Sequence, residues 1–292
     1  SNSIVQNNEL IEELIKKLNI IPRNFHSSLI EDEFLKKHKS IYLEALKYKD
    51  KEKIGKYLEQ NKQCLFSNPT NFYTYHLLLI RLKNMVKNNN SDTSTDLVAL
   101  SSFSKDFNTY QMFLYHSCLG FNNYYNGNYK LAVYEFDEAR KIVELIDIDE
   151  CETADIFYSL AITNLQFQKL IISLENATKA NRFFQKNFLH FRAIESYIII
   201  AVAYKRSMNY EEYYQNLLLA QKIAIQSNIT ANLSVILLNI ASYYSLKFDY
   251  EKSITYYEES LNTTGPVWLK LTSIYCIVLQ YSMLKNTSKI LE

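Results

Sequence analysis

Residues that form tight turns are scarce in this sequence. Only 4 glycines and 3 prolines occur among its 292 residues, far below ordinary usage. Because β-sheets need frequent tight turns, this shortage argues against sheets and predicts an all-α protein. Hydrophobic residues make up 48% of the chain, which is enough for a sizeable core and excludes a mostly disordered protein.

Strong charge and long apolar runs are also missing. The formal net charge is only +1, so no strong electrostatic field favours a nucleic-acid partner. The chain contains neither a signal peptide nor an apolar run of membrane-spanning length,. We therefore predict a soluble, cytoplasmic protein without a nucleic-acid or membrane partner.

Motifs that carry chemistry are absent from the sequence as well. It contains no glycine-rich phosphate loop and no HExxH zinc motif,. The cysteines have no CxxC spacing and are interpreted as free thiols of a reducing compartment: Cys64, Cys118, Cys151 and Cys276. The histidines are scattered: His26, His38, His76, His116 and His190. We predict no catalytic residue, no metal site and no cofactor from these patterns.

Small residues recur instead at a nearly constant step. The first set is spaced 41, 40 and 40 residues apart: Gly120, Ala161, Ala201 and Ala241. Twelve residues further on stand Ala132, Ser173, Tyr213 and Ser253, and seven further Ala139, Ala180, Ala220 and Ser260. This skeleton is typical of tetratricopeptide repeats, where small residues let two antiparallel helices approach closely. The usual period is about 34 residues, so these hairpins are longer by about six.

The step defines the predicted organisation. Residues 107–292 are predicted to form the repeat domain, a right-handed superhelix of helical hairpins. Its turns are expected at residues 126–128, 166–169, 207–209 and 247–249, with a fifth unit opening at Gly265-Pro266. Gly127 is expected to supply a positive φ in the first turn. The acidic stretch 144–152 is interpreted as the loop and first helical turn of the second repeat.

The residues before the repeats lack this step. Residues 1–88 are predicted to form a separate helical bundle, and residues 89–106, rich in Asn, Ser, Thr and Asp, a linker and the entry to the repeats,. Asn68 followed by Pro69 is a strong start signal for the last helix of the bundle. Earlier helices are predicted at about 3–20, 28–47 and 50–65,.

Tyrosine is abundant, with 24 residues, and many lie on the first helices of the hairpins. Tyr204 and Tyr243 are examples, and two interpretations stay open for them. Aromatic rings fill the core between repeats, or they line a groove for an extended peptide. Asn164, Arg192 and Asn239 are candidate peptide contacts, because a polar residue inside an apolar helix needs a partner.

Several segments resemble the Rap family of Gram-positive quorum-sensing regulators, the response-regulator aspartate phosphatases. Tyr75-x-Leu77-x-x-x-Arg81 is similar to the family's "YYxLxxxR" helix, with Thr74 replacing its first Tyr. The segment from Phe113 to Ala139, which includes Gly120, is similar to its first repeat, and Leu237 to Ala241 resembles its "LLNIA" helix. Phe191-Arg192 loosely resembles its "YxxR" approach to the third repeat.

The resemblance implies a function. In that family the bundle and linker clasp a response regulator, and the repeats bind a short peptide that is secreted and re-imported. It implies partner binding for Tyr75 and Arg81, and contact with the peptide backbone for Asn239. Sporulation and competence are the processes that it implies.

Two departures from the family pattern matter. Phosphatase members place a catalytic Gln where this chain has Pro69, so the sequence favours binding over catalysis. Where the family often reads "AGNYDD", this chain ends its segment with Lys205-Arg206, so its peptide is expected to differ in charge from the family's common basic ones. Three alternatives stay open: an active aspartyl-phosphate phosphatase, a peptide-responsive transcription regulator, and a generic repeat adaptor.

Overall fold

The computed structural model describes residues 28–60, 66, 68–86 and 93–285. These residues form α-helices and no β-strand. The helices are α1 (Ser28–Tyr48), α2 (Lys51–Gln60), α3 (Pro69–Val86), α4 (Ser94–Ser101), α5 (Thr109–Tyr125), α6 (Tyr129–Val143), α7 (Glu150–Gln166), α8 (Leu170–Lys186), α9 (His190–Arg206), α10 (Tyr210–Gln226), α11 (Leu233–Leu246), α12 (Tyr250–Asn262) and α13 (Val267–Met283). None of these helices is long and apolar enough to cross a membrane.

Some predictions fall outside the described residues. These are the helix at 3–20, residues 89–92 of the linker region, Cys64 and His26. Residues 94–101 of the same region form α4, whose Leu97 and Leu100 are buried. Asn68 caps α3 as predicted, because its side-chain Oδ1 accepts a hydrogen bond from the Thr70 backbone N–H at 2.9 Å,.

The predicted turns of the repeats are confirmed. Each one closes with a backbone N–H that donates to the carbonyl five residues earlier, a pattern that ends helices in the left-handed conformation. The pairs are Asn128–Asn123, Lys169–Asn164, Asn209–Tyr204 and Asp249–Tyr244. Gly127 has the predicted positive φ of 77°, whereas the next three turns place Gln168, Met208 and Phe248 at 60°, 61° and 63°. A side chain in that region costs roughly 1 kcal/mol, so the hairpin geometry overrides a local preference there.

The small residues that define the step lie where the helices meet. All twelve are buried, at the first positions Gly120, Ala161, Ala201 and Ala241, and at the two later sets. A Cβ atom added to Gly120 would lie 2.5 Å from the Phe136 ring on the facing helix. Tyr213 is the one large residue of the second set. Its side chain extends past the α9–α10 contact, and its hydroxyl bonds the Asn239 carbonyl on α11. The repeat skeleton inferred from the sequence is therefore the contact between paired helices.

The step extends one helix further back than the sequence indicates. Helix α5 bonds α3 at three places, each 41 residues apart in sequence: Gln111 to the Thr70 carbonyl, Cys118 to the Leu77 carbonyl and Tyr125 to the Asn84 carbonyl. Helix α3 thus stands before α5 at the repeat spacing. The step is not visible in the sequence here because Leu79 occupies the position that corresponds to Gly120.

The described chain divides into two compact units, one extending through Thr163 and the other beginning at Asn164. The predicted division into a partner-binding part up to residue 88 and a peptide-binding part from residue 107 is a functional one, and it stays a prediction.

The contact of Gly120 with Phe136 generates a stability prediction. Gly120→Ala is expected to lower the free energy of unfolding by about 1–3 kcal/mol, because the added methyl group overpacks the ring. Gly55→Ala is the matched control, since its added Cβ atom meets nothing within 4 Å. That helical control is expected to gain about 0.5–1 kcal/mol. Urea unfolding of both variants measures the difference, and a Gly120→Ala protein as stable as wild type would contradict the packing described here.

Candidate functional site

Asn239 lies at the middle of α11 with a half-buried side chain. Its Nδ2 donates to the Val235 carbonyl at 2.8 Å. The single proton of the Tyr213 hydroxyl is shared between the Asn239 backbone carbonyl at 2.7 Å and its Oδ1 at 3.2 Å, so the bond to Oδ1 is the weaker of the two,. A carboxamide has two N–H donors and two acceptor lone pairs. Asn239 therefore keeps one donor and one acceptor for a further partner.

Tyr213 is a residue that sequence reasoning did not select. It is fully buried on α10, and its hydroxyl holds Asn239 from the neighbouring hairpin. The bond to Oδ1 and the bond from Nδ2 together determine which way the carboxamide faces. The only signal in the sequence is a large residue at a position where the other repeats have Ala or Ser.

Tyr204 and Tyr243 pack beside this pair, in one hydrophobic cluster with Tyr213. Tyr243 is only 9% exposed, and its ring stacks on Tyr214 with centroids 4.3 Å apart and an interplanar angle of 9°. Tyr204 is half-buried. The structure thus places Tyr204 and Tyr243 in the cluster that contains Tyr213 and gives both rings a packing role there, so their contact with a peptide stays a prediction.

Arg192 and Asn164 are placed differently. The Arg192 side chain is fully buried on α9, with its Nε 3.2 Å from a Glu195 oxygen and its guanidinium 4.6 Å from the Phe184 ring centroid. Asn164 is 1% exposed near the end of α7. Neither side chain presents surface, so their contact with a peptide stays a prediction.

The first helices of the second unit are linked by polar bonds near their C-terminal ends. Lys205 Nζ on α9 donates to Ser242 Oγ on α11 at 2.6 Å. Ser245 on α11 bonds the Gln280 side chain of α13 at 3.1 Å, and the Arg206 guanidinium donates to the Leu165 carbonyl of α7. Ser242 and Ser245, which make two of these bonds, lie on the same face of α11 as Asn239, because residues three apart on a helix are neighbours.

The predicted partner-binding residues are inside the first unit. Tyr75 is 0% exposed, and its ring packs on Phe34, His38 and Phe66. Arg81 is 1% exposed and pairs with Asp155 at 2.7 Å. A buried side chain cannot touch a partner directly. Any role in partner binding, which stays a prediction, passes through the surface that these two residues help to position.

The surroundings of Pro69 bear on the phosphatase alternative. Pro69 opens α3, and three carboxamides lie close to it among the described residues. Asn68 bonds the Thr70 N–H, Asn71 donates to Asp32 at 2.9 Å, and Gln111 donates to the Thr70 carbonyl at 2.8 Å. Each carboxamide therefore already has a protein partner, and Gln111 is buried. The arrangement holds α3 in place.

A buried carboxyl group lies at the start of α7. Glu152 is 1% exposed, and one of its oxygens accepts from the Tyr110 hydroxyl at 2.8 Å. Lys39 of α1 lies over the Tyr110 ring, 4.2 Å from its centroid. Burial raises the pKa of Glu152 to about 7, while Lys39 and the Tyr110 hydroxyl act to lower it. The sequence predicts this first turn but not the burial of its acid.

Metal chemistry finds no support in the described residues 28–60, 66, 68–86 and 93–285, where no three His, Cys, Asp or Glu side chains could hold an ion together. Within these residues Cys118, Cys151 and Cys276 are not joined by disulfide bonds.

Comparison with known proteins finds a curated relative and no matching family model. The chain is 23% identical to the transcriptional activator NprA of Geobacillus stearothermophilus over 197 aligned residues. These aligned residues are 67% of this chain and 48% of NprA. The chain therefore spans about half the length of this curated relative.

Solved structures are similar over most of the chain. The apo form of the quorum sensor NprR from B. thuringiensis aligns with a TM-score of 0.72 and 19% identity, over 89% of this chain and 74% of that one. NprR in complex with its cognate peptide NprX aligns with a TM-score of 0.68 and 21% identity, over 86% of this chain and 73% of that one. A Rap protein complexed with competence and sporulation factor aligns with a TM-score of 0.64 and 17% identity, over 96% of this chain and 74% of that one.

This chain has the fold of the Rap and NprR proteins. The predicted all-α, tetratricopeptide-like fold class and the predicted resemblance to the Rap family are both confirmed by these likenesses. Sequence identities this low establish the fold alone, so the function rests on the residues.

Burial of Glu152 generates a pH prediction for this Rap-type fold. Because the pKa of Glu152 is raised from 4.5 to about 7, the folded state binds its proton more tightly than the unfolded state does. Its contribution to stability is present below about pH 4.5 and is lost as the pH rises through 7. Glu152→Gln is therefore expected to become more stable than wild type above pH 7, by on the order of 3 kcal/mol.

The measurement is urea unfolding at pH 5 and pH 8, with the variant compared with wild type at each pH. Glu150→Gln, an exposed acid in the same helical turn, is the control and should leave the profile unchanged. A constant difference between Glu152→Gln and wild type at both pH values would show that this carboxyl group is not protonated in the folded protein.

Proposed function

We propose that this chain is an intracellular, peptide-responsive regulator of the Rap type. A short, imported peptide binds at the first helices of the second unit, around Asn239. A response regulator binds to the part of the chain formed by residues 1–88 and the linker. The observation that carries the proposal is the Asn239 carboxamide, half-buried but still accessible and with one donor and one acceptor to spare.

The chemistry of Asn239 suits a peptide backbone. An extended peptide presents an N–H and a C=O, and a carboxamide matches both at once. Tyr213 and the Val235 carbonyl already orient the Asn239 group. A group that is oriented before the ligand arrives loses less conformational freedom on binding, which favours affinity. The peptide complexes of NprR support this class of ligand.

This proposal predicts a loss of affinity for Asn239→Ala. Two hydrogen bonds to the peptide are removed, so binding should weaken at least about tenfold. Asn216→Ala is the matched control, because Asn216 on α10 makes the same bond to the carbonyl four residues earlier, at 2.8 Å. Calorimetry with peptides below 1 kDa from the medium of the native cells measures both. Equal affinity of Asn239→Ala and wild type for every peptide that binds would place the site elsewhere.

The partner half of the proposal is binding without catalysis. At Pro69 the chain has neither a carboxamide nor an N–H, and the nearby Gln111 carboxamide is bonded to Thr70, Thr74 and the Asn108 N–H. We expect phosphorylated receiver domains from the same cell to lose phosphate at an unchanged rate while bound to this chain. Phosphate loss followed by gel electrophoresis measures the rate. An accelerated loss that depends on stoichiometric binding would establish the phosphatase alternative instead.

Transcription regulation is the second candidate function, because the curated relative is named a transcriptional activator. DNA contact releases counterions, so binding would weaken steeply with salt. The net charge of +1 counts against such a contact by this chain,.

A further inference from the structure

Lys205 is a half-buried cation near the end of α9. Its Nζ lies 2.6 Å from Ser242 Oγ and 5.5 Å from the centroid of the Tyr213 ring. Burial is the main cause that lowers its pKa, and the neighbouring Arg206 guanidinium adds to the effect. The ammonium therefore sits where water is partly excluded and a second positive charge is close.

No carboxylate balances this charge. Among residues 28–60, 66, 68–86 and 93–285, no Asp or Glu oxygen lies within 4.0 Å of Lys205 Nζ; the groups that act on it are Ser242, the Tyr213 ring, the Cys276 sulfur and Arg206. Other lysines of the chain do pair with acids, at 2.5 to 2.9 Å: Lys53 with Glu44, Lys83 with Asp96, Lys141 with Glu138 and Lys252 with Asp249. A partly desolvated cation without an anion is costly, and such groups concentrate at functional sites.

A helix-capping role does not account for Lys205. Basic residues in a last helical turn often interact with the final carbonyls. In α9 those carbonyls are taken by backbone donors: Ser207 N–H to Ala203, Met208 N–H to Lys205 and Asn209 N–H to Tyr204. The Lys205 ammonium instead reaches across to the next first helix, α11.

Tyr213 connects Lys205 to Asn239. Its hydroxyl bonds Asn239, and its ring lies under the Lys205 ammonium. Ser242, which accepts from Lys205, stands three residues after Asn239 and so lies on the same face of α11, with the two Cβ atoms about 5–6 Å apart. An extended peptide advances roughly 3.3 Å per residue. One peptide can therefore reach both groups within about two residues.

We propose that Lys205, together with Ser242 and Tyr213, forms an anion subsite that takes a carboxylate of the bound peptide, within two residues of the residue that Asn239 holds. The inference rests on the proposed function and specifies its ligand: a peptide with an Asp or Glu side chain or a free C-terminus at that position. The carboxylate supplies the counter-charge that the protein lacks and accepts a charge-assisted hydrogen bond from Lys205.

The test uses four fluorescein-labelled hexapeptide pools of randomised uncharged residues. Three have amidated C-termini and one fixed Asp, Asn or Lys, and the fourth has the fixed Asn with a free C-terminus. Fluorescence anisotropy with the full chain is expected to show that the Asp pool or the free-carboxylate pool binds at least about tenfold more tightly than the amidated Asn pool. Which of the two does so identifies the source of the carboxylate.

Two variants of Lys205 connect this preference to its ammonium. The preference should disappear in Lys205→Gln and persist in Lys205→Arg, which keeps the charge. Lys222→Gln, an exposed lysine of α10, is the matched control and should bind like wild type. The amidated Lys pool should bind most weakly to wild type and gain affinity in Lys205→Gln, because charge repulsion is removed.

The outcomes separate this inference from the proposed function. If no pool binds, or if binding survives in Asn239→Ala, the proposed function fails and this subsite fails with it. If the pools bind through Asn239 with equal affinity whatever their charge, the peptide site stands and the anion subsite is wrong. A preference for carboxylate that persists in Lys205→Gln also overturns the assignment to Lys205.

Discussion

The arrangement of the first unit depends on one buried ion pair. The guanidinium of Arg81 on α3 lies 2.7 Å from Asp155 on α7, both side chains being almost fully buried. Phe121 of α5 covers the guanidinium at 4.0 Å, and Tyr42 of α1 interacts with it. Removing either partner of a buried pair costs about 3–5 kcal/mol, although the intact pair contributes little net stability. We infer that Arg81 specifies which helices meet, more than it stabilises them.

That constraint explains why the repeat spacing reaches α3. With Arg81 held by α7, the N-terminal half of the described first unit is tied to the first helices of the repeats, and α5 bonds α3 along its length. The sequence contains the pair only as an Arg and an Asp 74 residues apart. Sequence patterns reveal contacts between residues on one helix or at a fixed step. The Arg81–Asp155 contact follows neither pattern, because it forms only when α3, α5 and α7 pack together.

The repeats themselves are predictable because close helix packing needs small side chains. Gly120 and its equivalents are visible in the sequence for that reason, and the turns follow from their spacing. The backbone of those turns is less visible. Met208 and Phe248 have positive φ without being glycine, since the hydrogen bonds that close each hairpin outweigh the local cost. Glycine content alone therefore underestimates how many left-handed turns the fold contains.

The candidate site was predictable only in part, for a related reason. A polar residue inside an apolar helix needs a partner, and this rule selects Asn239, Arg192 and Asn164 alike. It does not say whether the protein or a ligand supplies that partner. Packing separates them: Arg192 is fully buried beside Glu195, whereas Asn239 is only half-buried. For Tyr213 the sequence shows only an unusually large residue at its repeat position, and its role depends on a hydroxyl that reaches the next hairpin.

Tyr213 also shows how a ligand at Asn239 would act on the packing between hairpins. Its hydroxyl bonds Asn239, and its ring belongs to a set of tyrosines that joins α10 to α11. Tyr214 stacks on Tyr243 and shares a hydrogen bond with Tyr244 at 3.0 Å, and Tyr244 stacks on Tyr256 of α12. A ligand shifts a conformational equilibrium only by its differential affinity for the two states. A peptide that uses the donor and acceptor left on Asn239 would have such a difference, because it would bind best where Tyr213 holds this carboxamide in place and α10 packs on α11.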